Sequence, residues 1–124
     1  MSLENVVYRA KAKVTGGRDG RAVSSDGVLD VKLGIPKEMG GAGGAFTNPE
    51  QLFAMGYAAC FDSAMNHVAP TLNLKPTNSS TSVAVGIGQK PDGAFGLDLD
   101  ITITVEGLSE AEAKTLIQKA HEVC

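Results

Sequence analysis

The chain has 124 residues, 43% of them hydrophobic and 20% charged, which is the composition of an ordinary globular domain. Aromatic residues make up only 5% and Trp is absent, so we expect an aliphatic core. The net charge of −3 comes without any block of Lys or Arg, so nucleic acid is not an expected partner, because phosphate binding needs clustered cations. No apolar run reaches the roughly 18 residues of a membrane span, and no signal-peptide pattern opens the chain, so we expect a cytoplasmic protein with no membrane partner.

The first part of the chain, at about 4–34, predicts an antiparallel meander. Alternating apolar and polar residues predict three short strands, at 8–14, 22–25 and 29–33, separated by glycine-containing turns. A Gly-rich loop follows at 36–46. It lacks the Gly-Lys-Ser/Thr ending of a phosphate-binding loop, so we expect a surface loop in which backbone segments approach closely.

A helix is predicted at about 48–69. Asn48 is the expected N-cap, Pro49 suits the first helical position, and acidic Glu50 suits the first turn. Pro70 ends the helix, because proline lacks the amide hydrogen that a helix interior requires. The segment is apolar nearly all round, which is typical of a helix that is buried on most sides.

The remaining sequence predicts a β-hairpin at about 81–105 and a second helix at about 109–124. Ser109 and Glu112 have the spacing of a capping box at the start of that helix. The predicted fold is therefore α+β, a single domain of residues 1–124 in which antiparallel sheets pack around a central buried helix.

Two cysteines, Cys60 on the central helix and Cys124 on the last one, are the residues most able to carry chemistry. Cys124 follows Leu116 and Ala120 at helical spacing and so continues the inward face of its helix. Small residues surround Cys60, so another side chain could approach its sulfur. Two interpretations stay open: free cysteines often only fill space in a core, and a pair of inward thiols can be the peroxidatic and resolving cysteines of a peroxidase.

A reactive thiol needs a positive neighbour, because the thiolate is the nucleophile. Arg18, in a glycine-flanked turn, could present a permanent charge to a pocket or be an ordinary solvated residue. His67 lies two helical turns beyond Cys60, about 10 Å along the axis, which is too far for direct help. His121 precedes Cys124 by three residues and could touch it or simply complement the helix end. A zinc site from these histidines and cysteines matches no common ligand spacing, so no metal and no cofactor is expected.

Glu50 raises a question of geometry. Ten residues separate it from Cys60, which is about 15 Å of helix rise, so one helix cannot bring the two side chains together. If Glu50 serves a site at Cys60, it must come from a second copy of this helix across a two-fold axis. The simpler alternative is that Glu50 only complements the helix dipole.

Four segments of the chain resemble those of the organic hydroperoxide resistance proteins, bacterial thiol peroxidases within the larger osmotically inducible (OsmC-like) family. They are TNPEQLF at 47–53, GYAACF at 56–61, GGRDG at 16–20 and HEVC at 121–124. The resemblance runs essentially from end to end, and the motifs together are highly specific for that family.

The resemblance implies that Cys60 is peroxidatic, that Cys124 is resolving, and that Glu50 of the other subunit orients Arg18 toward the thiolate. It also implies an intertwined homodimer with two sites at the subunit interface. The substrates would be alkyl or fatty-acid hydroperoxides, reduced to alcohols in the organic peroxide stress response through a Cys60 sulfenic acid and a Cys60–Cys124 disulfide. A lipoylated protein or dihydrolipoamide would be the reductant.

Two alternatives are an osmotically inducible OsmC-type peroxidase of broader specificity and a non-catalytic dimeric binding module with inert cysteines. Phe46, Phe53 and Met55 either line a channel for an alkyl tail or belong to an ordinary core. Members of the family continue past the second cysteine with a tail of the Pro-Tyr-Ser type, whereas this sequence ends at Cys124. Because chain ends fray, we expect recycling through Cys124 to be the step most sensitive to that difference.

Overall fold

A computed structural model describes residues 3–124, so residues 1 and 2 of the predicted 1–124 domain lie outside the described part. The chain divides into two compact units, an N-terminal unit of Met1–Pro49 and a C-terminal unit of Glu50–Cys124. The predicted α+β class is confirmed, with two antiparallel sheets and a central helix. Within residues 3–124, no helix combines the length and the apolar composition needed to cross a bilayer.

The N-terminal unit contains a three-stranded antiparallel meander in the order β1-β2-β3. The strands are β1 (Ala12–Thr15), β2 (Arg21–Ser24) and β3 (Asp30–Lys32). The meander is as predicted, but its first strand begins at Ala12 rather than at Tyr8, because β2 offers β1 only four paired residues. All four residues of β1 are exposed, so the alternation of apolar and polar residues does not bury one face of this strand within the chain.

The loop after β3 closes back on the meander. A single 3₁₀ turn, Lys37–Met39, lies within it, and Leu33 forms a parallel bridge with Thr47. Leu33 is only 3% exposed. A Cβ at Gly41 would clash with the carbonyl oxygen of Ile35, so the glycine permits the close backbone approach that the sequence predicts here.

The central helix, α1, spans Pro49–Val68 and confirms the predicted helix at 48–69. A 3₁₀ turn containing Pro70 follows it directly. The helix is less enclosed within this chain than its composition suggests, because its N-terminal half keeps one face in solvent. The fully buried residues of α1 are Phe61, Met65 and Val68. The exposed residues of its N-terminal half include Phe53, Met55, Gly56, Ala59 and Cys60.

A long β-hairpin joins the two helices of the C-terminal unit. Its strands, β4 (Asn78–Gln89) and β5 (Phe95–Glu106), are paired along their whole length, so the hairpin exceeds the predicted 81–105 at both ends. The apolar face of β5 packs against the core at Ile103 and Val105, whereas Phe95 near the hairpin tip is 65% exposed. The hairpin therefore extends beyond the core that holds its base.

The last helix, α2, spans Glu110–Val123 and begins with the predicted capping box. The hydroxyl of Ser109 accepts the amide hydrogen of Glu112 at 3.1 Å, and the Glu112 carboxylate accepts that of Ser109 at 2.9 Å. One face of α2 packs on α1, which creates the core of the C-terminal unit. Its buried members are Phe61, Met65, Val68, Ala69, Leu116 and Ala120. Full burial of a large apolar side chain contributes roughly 1.5–3 kcal/mol, so this contact holds the two helices together.

Candidate active site

Cys60 lies on the rim of the buried core. It directly precedes Phe61, whose ring is 1% exposed and anchors this turn of α1, while Cys60 itself faces outward and is exposed. Gly56 and Ala59 share the exposed face, and nothing lies within 4 Å of the position that a Cβ at Gly56 would take. Within this chain, Cys60 is therefore exposed beside a face of small residues.

Cys124 follows the last residue of α2, and its amide still donates to the carbonyl oxygen of Ala120 at 3.0 Å. Ala120 and Leu116, one and two turns earlier, are fully buried, as the helical spacing predicts. Cys124 differs from them because it is exposed. It therefore continues the line of the inward face and lies where that face meets solvent.

The structure brings the two cysteines together. Their sulfur atoms, 64 residues apart in sequence, lie 3.5 Å apart, and Cys124 Sγ donates a hydrogen bond to Cys60 Sγ. Both cysteines are free thiols. A disulfide places its sulfurs about 2 Å apart, so bond formation requires an approach of only about 1.5 Å. The geometry is that of a pair that can cycle between dithiol and disulfide.

The environment of Cys124 favours its protonated form. Partial burial raises the pKa of the Cys124 thiol, and the hydrogen bond to Cys60 and the charge of Cys60 raise this pKa further. A negative charge on Cys60 would repel a second negative charge on Cys124, so the proton is held on Cys124 more firmly than on an isolated thiol.

An aromatic contact lies next to the thiol pair. The ring of His121, on α2, packs against that of Phe61, on α1, with centroids 6.5 Å apart and a tilt of 53°. Phe61 in turn stacks on Tyr57 at 6.4 Å, and Tyr57 on Phe53 at 6.0 Å. The sequence predicts that His121 touches Cys124 or complements the helix end, and the contact that the structure shows is with Phe61. Because Phe61 adjoins Cys60, this contact helps to set the distance between the two helices at the thiols.

Arg18 lies in the N-terminal unit, within a 3₁₀ turn of residues Gly17–Asp19. Gly16 precedes the turn with φ of 83°, a left-handed conformation that favours glycine. A Cβ at Gly20 would clash with the carbonyl oxygen of Thr15, so only glycine fits there without a backbone shift. The glycines that flank Arg18 in the sequence therefore shape the turn that presents this half-buried side chain.

Glu50 lies in the first turn of α1 and is half-buried. It belongs to the C-terminal unit, whereas Arg18 belongs to the N-terminal one. Glu50 and Cys60 occupy opposite ends of the same half of the helix, about 15 Å apart along its axis. The pairing of Glu50 with Arg18 stays a prediction.

Two polar residues on α1 that the sequence pattern does not single out bind the helix to the hairpin. The Thr81 hydroxyl donates to the Asp62 carboxylate at 3.1 Å, and the Asn66 amide donates to the Ser79 hydroxyl at 3.2 Å. The available signal was the spacing of four between Asp62 and Asn66, which places both polar side chains on one side of the helix. These bonds restrain rotation of α1 about its axis, which is the motion that would swing Cys60 away from Cys124.

The two histidines and two cysteines do not form a metal site in the described part of the chain. Among residues 3–124, no group of three or more His, Cys, Asp or Glu side chains is placed to hold a metal ion. His67 is exposed in the last turn of α1. The thiol pair is therefore the feature for which a chemical role has to be found.

Known proteins are similar to this chain in both sequence and fold. Residues 41–124 match the family described as OsmC-like protein. An organic hydroperoxide resistance protein of Xanthomonas axonopodis pv. citri is 57% identical over 124 residues, covering 99% of this chain and 87% of that protein. Organic hydroperoxide resistance protein OhrA of Bacillus subtilis is 38% identical over 127 residues, covering 98% of this chain and 87% of that protein.

Solved structures agree over nearly the whole chain. An organic hydroperoxide resistance protein from Legionella pneumophila superposes with a TM-score of 0.91 at 42% identity, covering 97% of this chain and 87% of that one. A structure from Vibrio cholerae, described as a putative organic hydroperoxide resistance protein with captopril bound in one of the active sites, gives a TM-score of 0.92 at 38% identity. That match covers 99% of this chain and 84% of the Vibrio chain.

Proposed function

The chain belongs to the OsmC-like family and, within it, to the organic hydroperoxide resistance proteins, and on that premise we propose that it is a cysteine-based peroxidase that reduces organic hydroperoxides in the organic peroxide stress response. The observation that carries the proposal is the separation of 3.5 Å between the sulfurs of Cys60 and Cys124. Two inert core cysteines would have no reason to meet at an exposed rim.

The reaction begins at Cys60. Its thiolate attacks the distal oxygen of the hydroperoxide, so that an S–O bond forms, the O–O bond breaks, and the departing alkoxide takes a proton from water to become an alcohol. The sulfur is oxidised to a sulfenic acid by two electrons, and the hydroperoxide is reduced by the same two.

Cys124 then completes the disulfide. It loses its proton to solvent and attacks the sulfur of Cys60, so that an S–S bond forms, the S–O bond breaks, and the hydroxide leaves and is protonated to water. An external dithiol reduces this disulfide by thiol–disulfide exchange and is itself oxidised. We propose dihydrolipoamide or a lipoylated protein as that dithiol, since it can complete both exchange steps within one molecule.

A steady-state and single-turnover comparison tests this function. We expect the protein to consume cumene hydroperoxide with dihydrolipoamide as reductant, Cys60→Ser to be inactive, and Cys124→Ser to complete one turnover and then accumulate over-oxidised Cys60. Val123→Ala, at the exposed position beside Cys124, is the matched control and should cycle normally. If the unaltered protein fails to consume the hydroperoxide, the proposal is wrong.

Arg18 is the residue we propose to hold the thiolate and the peroxide oxygens. A guanidinium is always charged and offers several N–H donors in a fixed plane, which suits both tasks. Glu50 would orient that guanidinium through an ion pair. Because the axial distance along α1 separates Glu50 from Cys60 of its own chain, we propose that Glu50 acts on the site of the other subunit.

Mixed dimers distinguish a Glu50 that acts on its own subunit from one that acts on its partner. Glu50→Ala subunits keep their own Cys60, and Cys60→Ser subunits keep their own Glu50. If Glu50 acts across the interface, exchange between these two inactive proteins restores a first-turnover burst. The control mixes Glu50→Ala with the doubly substituted Glu50→Ala/Cys60→Ser protein, which should restore nothing. Absence of a burst in the first mixture would assign Glu50 to its own subunit or to no catalytic role.

The substrate is proposed to carry an apolar group. Phe53 and Met55 are exposed on the same half of α1 as Cys60, at 43% and 60%, and offer an apolar surface to an alkyl tail. The Xanthomonas and Bacillus relatives are organic hydroperoxide resistance proteins by name. We therefore expect second-order rate constants for cumene or fatty-acid hydroperoxides to exceed that for hydrogen peroxide. The reverse order would favour the broader OsmC-type peroxidase.

A homodimer is proposed on the exposed face of α1. This face carries Gly56 and Ala59, whose small side chains allow a second backbone to approach closely. Gly56→Arg should therefore give a monomer in light scattering, while the matched Gly88→Arg, at an equally open glycine of the hairpin, should leave a dimer. A Gly56→Arg protein that stays dimeric would place the interface elsewhere. We propose the cytoplasm as the location, since a disulfide that forms there is usually transient and catalytic, as the proposed cycle requires.

A further inference from the structure

The hydrogen bond between the two thiols has a direction that the peroxidase cycle described above does not use. Cys124 Sγ is the donor and Cys60 Sγ the acceptor. A hydrogen bond to a charged acceptor is roughly twice as strong as one to a neutral acceptor, so a donor in this position favours the ionised form of the sulfur it faces. The geometry thus gives Cys124 a role before a peroxide binds, as a hydrogen-bond donor to the sulfur of Cys60.

We propose that Cys124 has two successive roles, an inference that rests on the proposed function. It first donates its S–H to the Cys60 thiolate and so activates the peroxidatic sulfur. It becomes the resolving nucleophile only after Cys60 has been oxidised. Cys124 touches the reacting atom in both roles, so it is a catalytic residue from the start of the cycle. The first role is independent of disulfide formation and can be measured separately.

The asymmetry between the thiols supports the first role. The pKa of Cys124 is raised by partial burial, then by the hydrogen bond to Cys60, and then by the charge of Cys60. The second and third causes are strongest while Cys60 carries a negative charge, and they keep the proton on Cys124. The raised pKa of Cys124 therefore agrees with its place as the donor of the hydrogen bond.

Oxidation of Cys60 weakens the preference of Cys124 for its protonated form. Once the sulfur carries a hydroxyl group, its negative charge is gone, so the charge of Cys60 no longer raises the pKa of Cys124 and the hydrogen bond to this sulfur becomes weaker, while the effect of burial remains. Cys124 can then release its proton to solvent and attack the sulfenic sulfur. The order of the two steps follows from the charge on Cys60, with no movement of an additional element required.

Several ionisable side chains on the two helices that carry the thiols make contacts of their own. On α2, Glu122 forms an ion pair with Lys119 at 3.5 Å, and the His121 ring packs against Phe61. On α1, the Asp62 carboxylate accepts from Thr81 of the hairpin, and the Tyr57 ring stacks between two phenylalanines. The hairpin meets the core through apolar residues of β5. Arg18 and Glu50 are proposed to act on the thiolate too, and they are unchanged in every variant compared below.

The experiment compares two substitutions that both prevent disulfide formation. Cys124→Ser keeps an O–H donor opposite Cys60, whereas Cys124→Ala keeps none. The measurement is the rate of Cys60 alkylation by iodoacetamide as a function of pH, followed on the Cys60 peptide by mass spectrometry. We expect the midpoint for Cys124→Ala to lie about one pH unit above that for Cys124→Ser, with roughly tenfold slower alkylation below both midpoints.

A control and a second measurement complete the test. Thr115→Ala, which removes a hydroxyl from the exposed side of α2, should leave the alkylation profile unchanged. Circular dichroism of the two Cys124 variants should be the same, since Cys124 is exposed and follows the last helical residue. Alkylation profiles for Cys124→Ser and Cys124→Ala that agree within about twofold at every pH would overturn the inference.

The peroxide arm separates this inference from the proposed function. In a single turnover with cumene hydroperoxide below the two midpoints, Cys124→Ser should react roughly tenfold faster than Cys124→Ala. If no protein reacts with the hydroperoxide, the proposed function fails, while the alkylation profiles still decide whether Cys124 activates Cys60. If both variants react with the hydroperoxide at equal rates, the peroxidase stands and the activating role is wrong.

Discussion

The two units of the chain hold their proposed functional residues by different means. The C-terminal unit contains a core of six buried residues, and both thiols lie on the rim of that core. In the described part of the N-terminal unit, Leu33 is the one large hydrophobic residue that is fully buried, and Arg18 is presented by a glycine-shaped turn. Side-chain packing determines the distance between the two sulfurs, whereas the backbone conformation of the turn determines the position of Arg18.

The difference matters for how each residue tolerates change. Loss of a methyl group from a packed core destabilises the residues that pack on it, because protein interiors are dense and relax only partly. A turn held by glycine conformation is insensitive to core changes and sensitive to a single added Cβ. Substitutions in the packed core and in the glycine turn should therefore differ in how strongly they affect stability and activity.

Leu116→Ala should have the largest effect. Leu116 is 0% exposed in the contact between α1 and α2, so its truncation leaves a cavity and should lower the free energy of unfolding by about 2–5 kcal/mol in urea titrations. The matched control in the N-terminal unit is Leu29→Ala. Leu29 is 55% exposed, and its truncation should stay within about 0.5 kcal/mol. Equal costs at the two leucines would show that the contrast between the units is wrong.

Gly20→Ala should lower the free energy of unfolding less than Leu116→Ala does. It should also lower the activity, although it adds only one methyl group. The new Cβ would clash with the carbonyl oxygen of Thr15, so the turn that carries Arg18 must shift, at a cost of about 1–3 kcal/mol. We expect the first-turnover rate with cumene hydroperoxide to fall at least about tenfold, since misplacement of a charge-stabilising group costs that much or more. Gly88→Ala, at an open position of the hairpin, is the control and should change neither quantity appreciably. Normal activity in Gly20→Ala would remove Arg18 from the proposed mechanism or show that the turn can adjust without moving it.

Ser109→Ala should lower the free energy of unfolding by about 1 kcal/mol. The substitution removes the hydroxyl that accepts the Glu112 amide hydrogen and leaves one donor of the first turn of α2 unsatisfied. Ser109→Asp, which restores an acceptor at the N-cap, should recover most of the loss in the same denaturant titration. A failure of Asp to recover stability would mean that the cap is not the origin of the effect.

Asp30→Asn should have the smallest effect, and one that depends on pH. The hydrogen bond from Arg21 is the first cause that lowers the pKa of the Asp30 carboxyl, followed, in the same direction, by the charge of Arg21. A carboxyl with a lowered pKa in the folded state stabilises the protein above the ordinary range of Asp, about pH 4, and this stabilisation is lost as the pH falls through the lowered value.

Thermal unfolding of this variant checks the sign. The wild-type protein should unfold at a slightly higher temperature than Asp30→Asn at pH 7, and the difference should vanish at the acid end of the range. The effect is small because the Arg21 and Asp30 side chains are 66% and 43% exposed, so solvent screens the pair. Asp100→Asn on β5 serves as the control for a general charge effect. A difference that grows as the pH falls would contradict the assignment.

Local pattern predicted most of the secondary structure, for reasons visible in particular residues. Pro49 and Pro70 bracket α1 because proline fits the first turn of a helix and not its interior. Ser109 and Glu112 predicted the capping box that is observed. The first strand was predicted less well, because the alternation that continues back to Tyr8 does not show where the partner strand stops. Pairing, and not propensity, sets that boundary.

By itself, the sequence determined the elements of this protein and the chemistry it can carry: two helices, two antiparallel sheets, and two thiols among residues that resemble a peroxidase family. Only the tertiary structure decided that Cys60 and Cys124, far apart in the chain, lie 3.5 Å apart with Cys124 as the donor. The physical reason is that this distance depends on how Phe61 and Met65 pack with Leu116 and Ala120. Side-chain shapes on two different helices set that contact, and the periodicity of neither helix contains it.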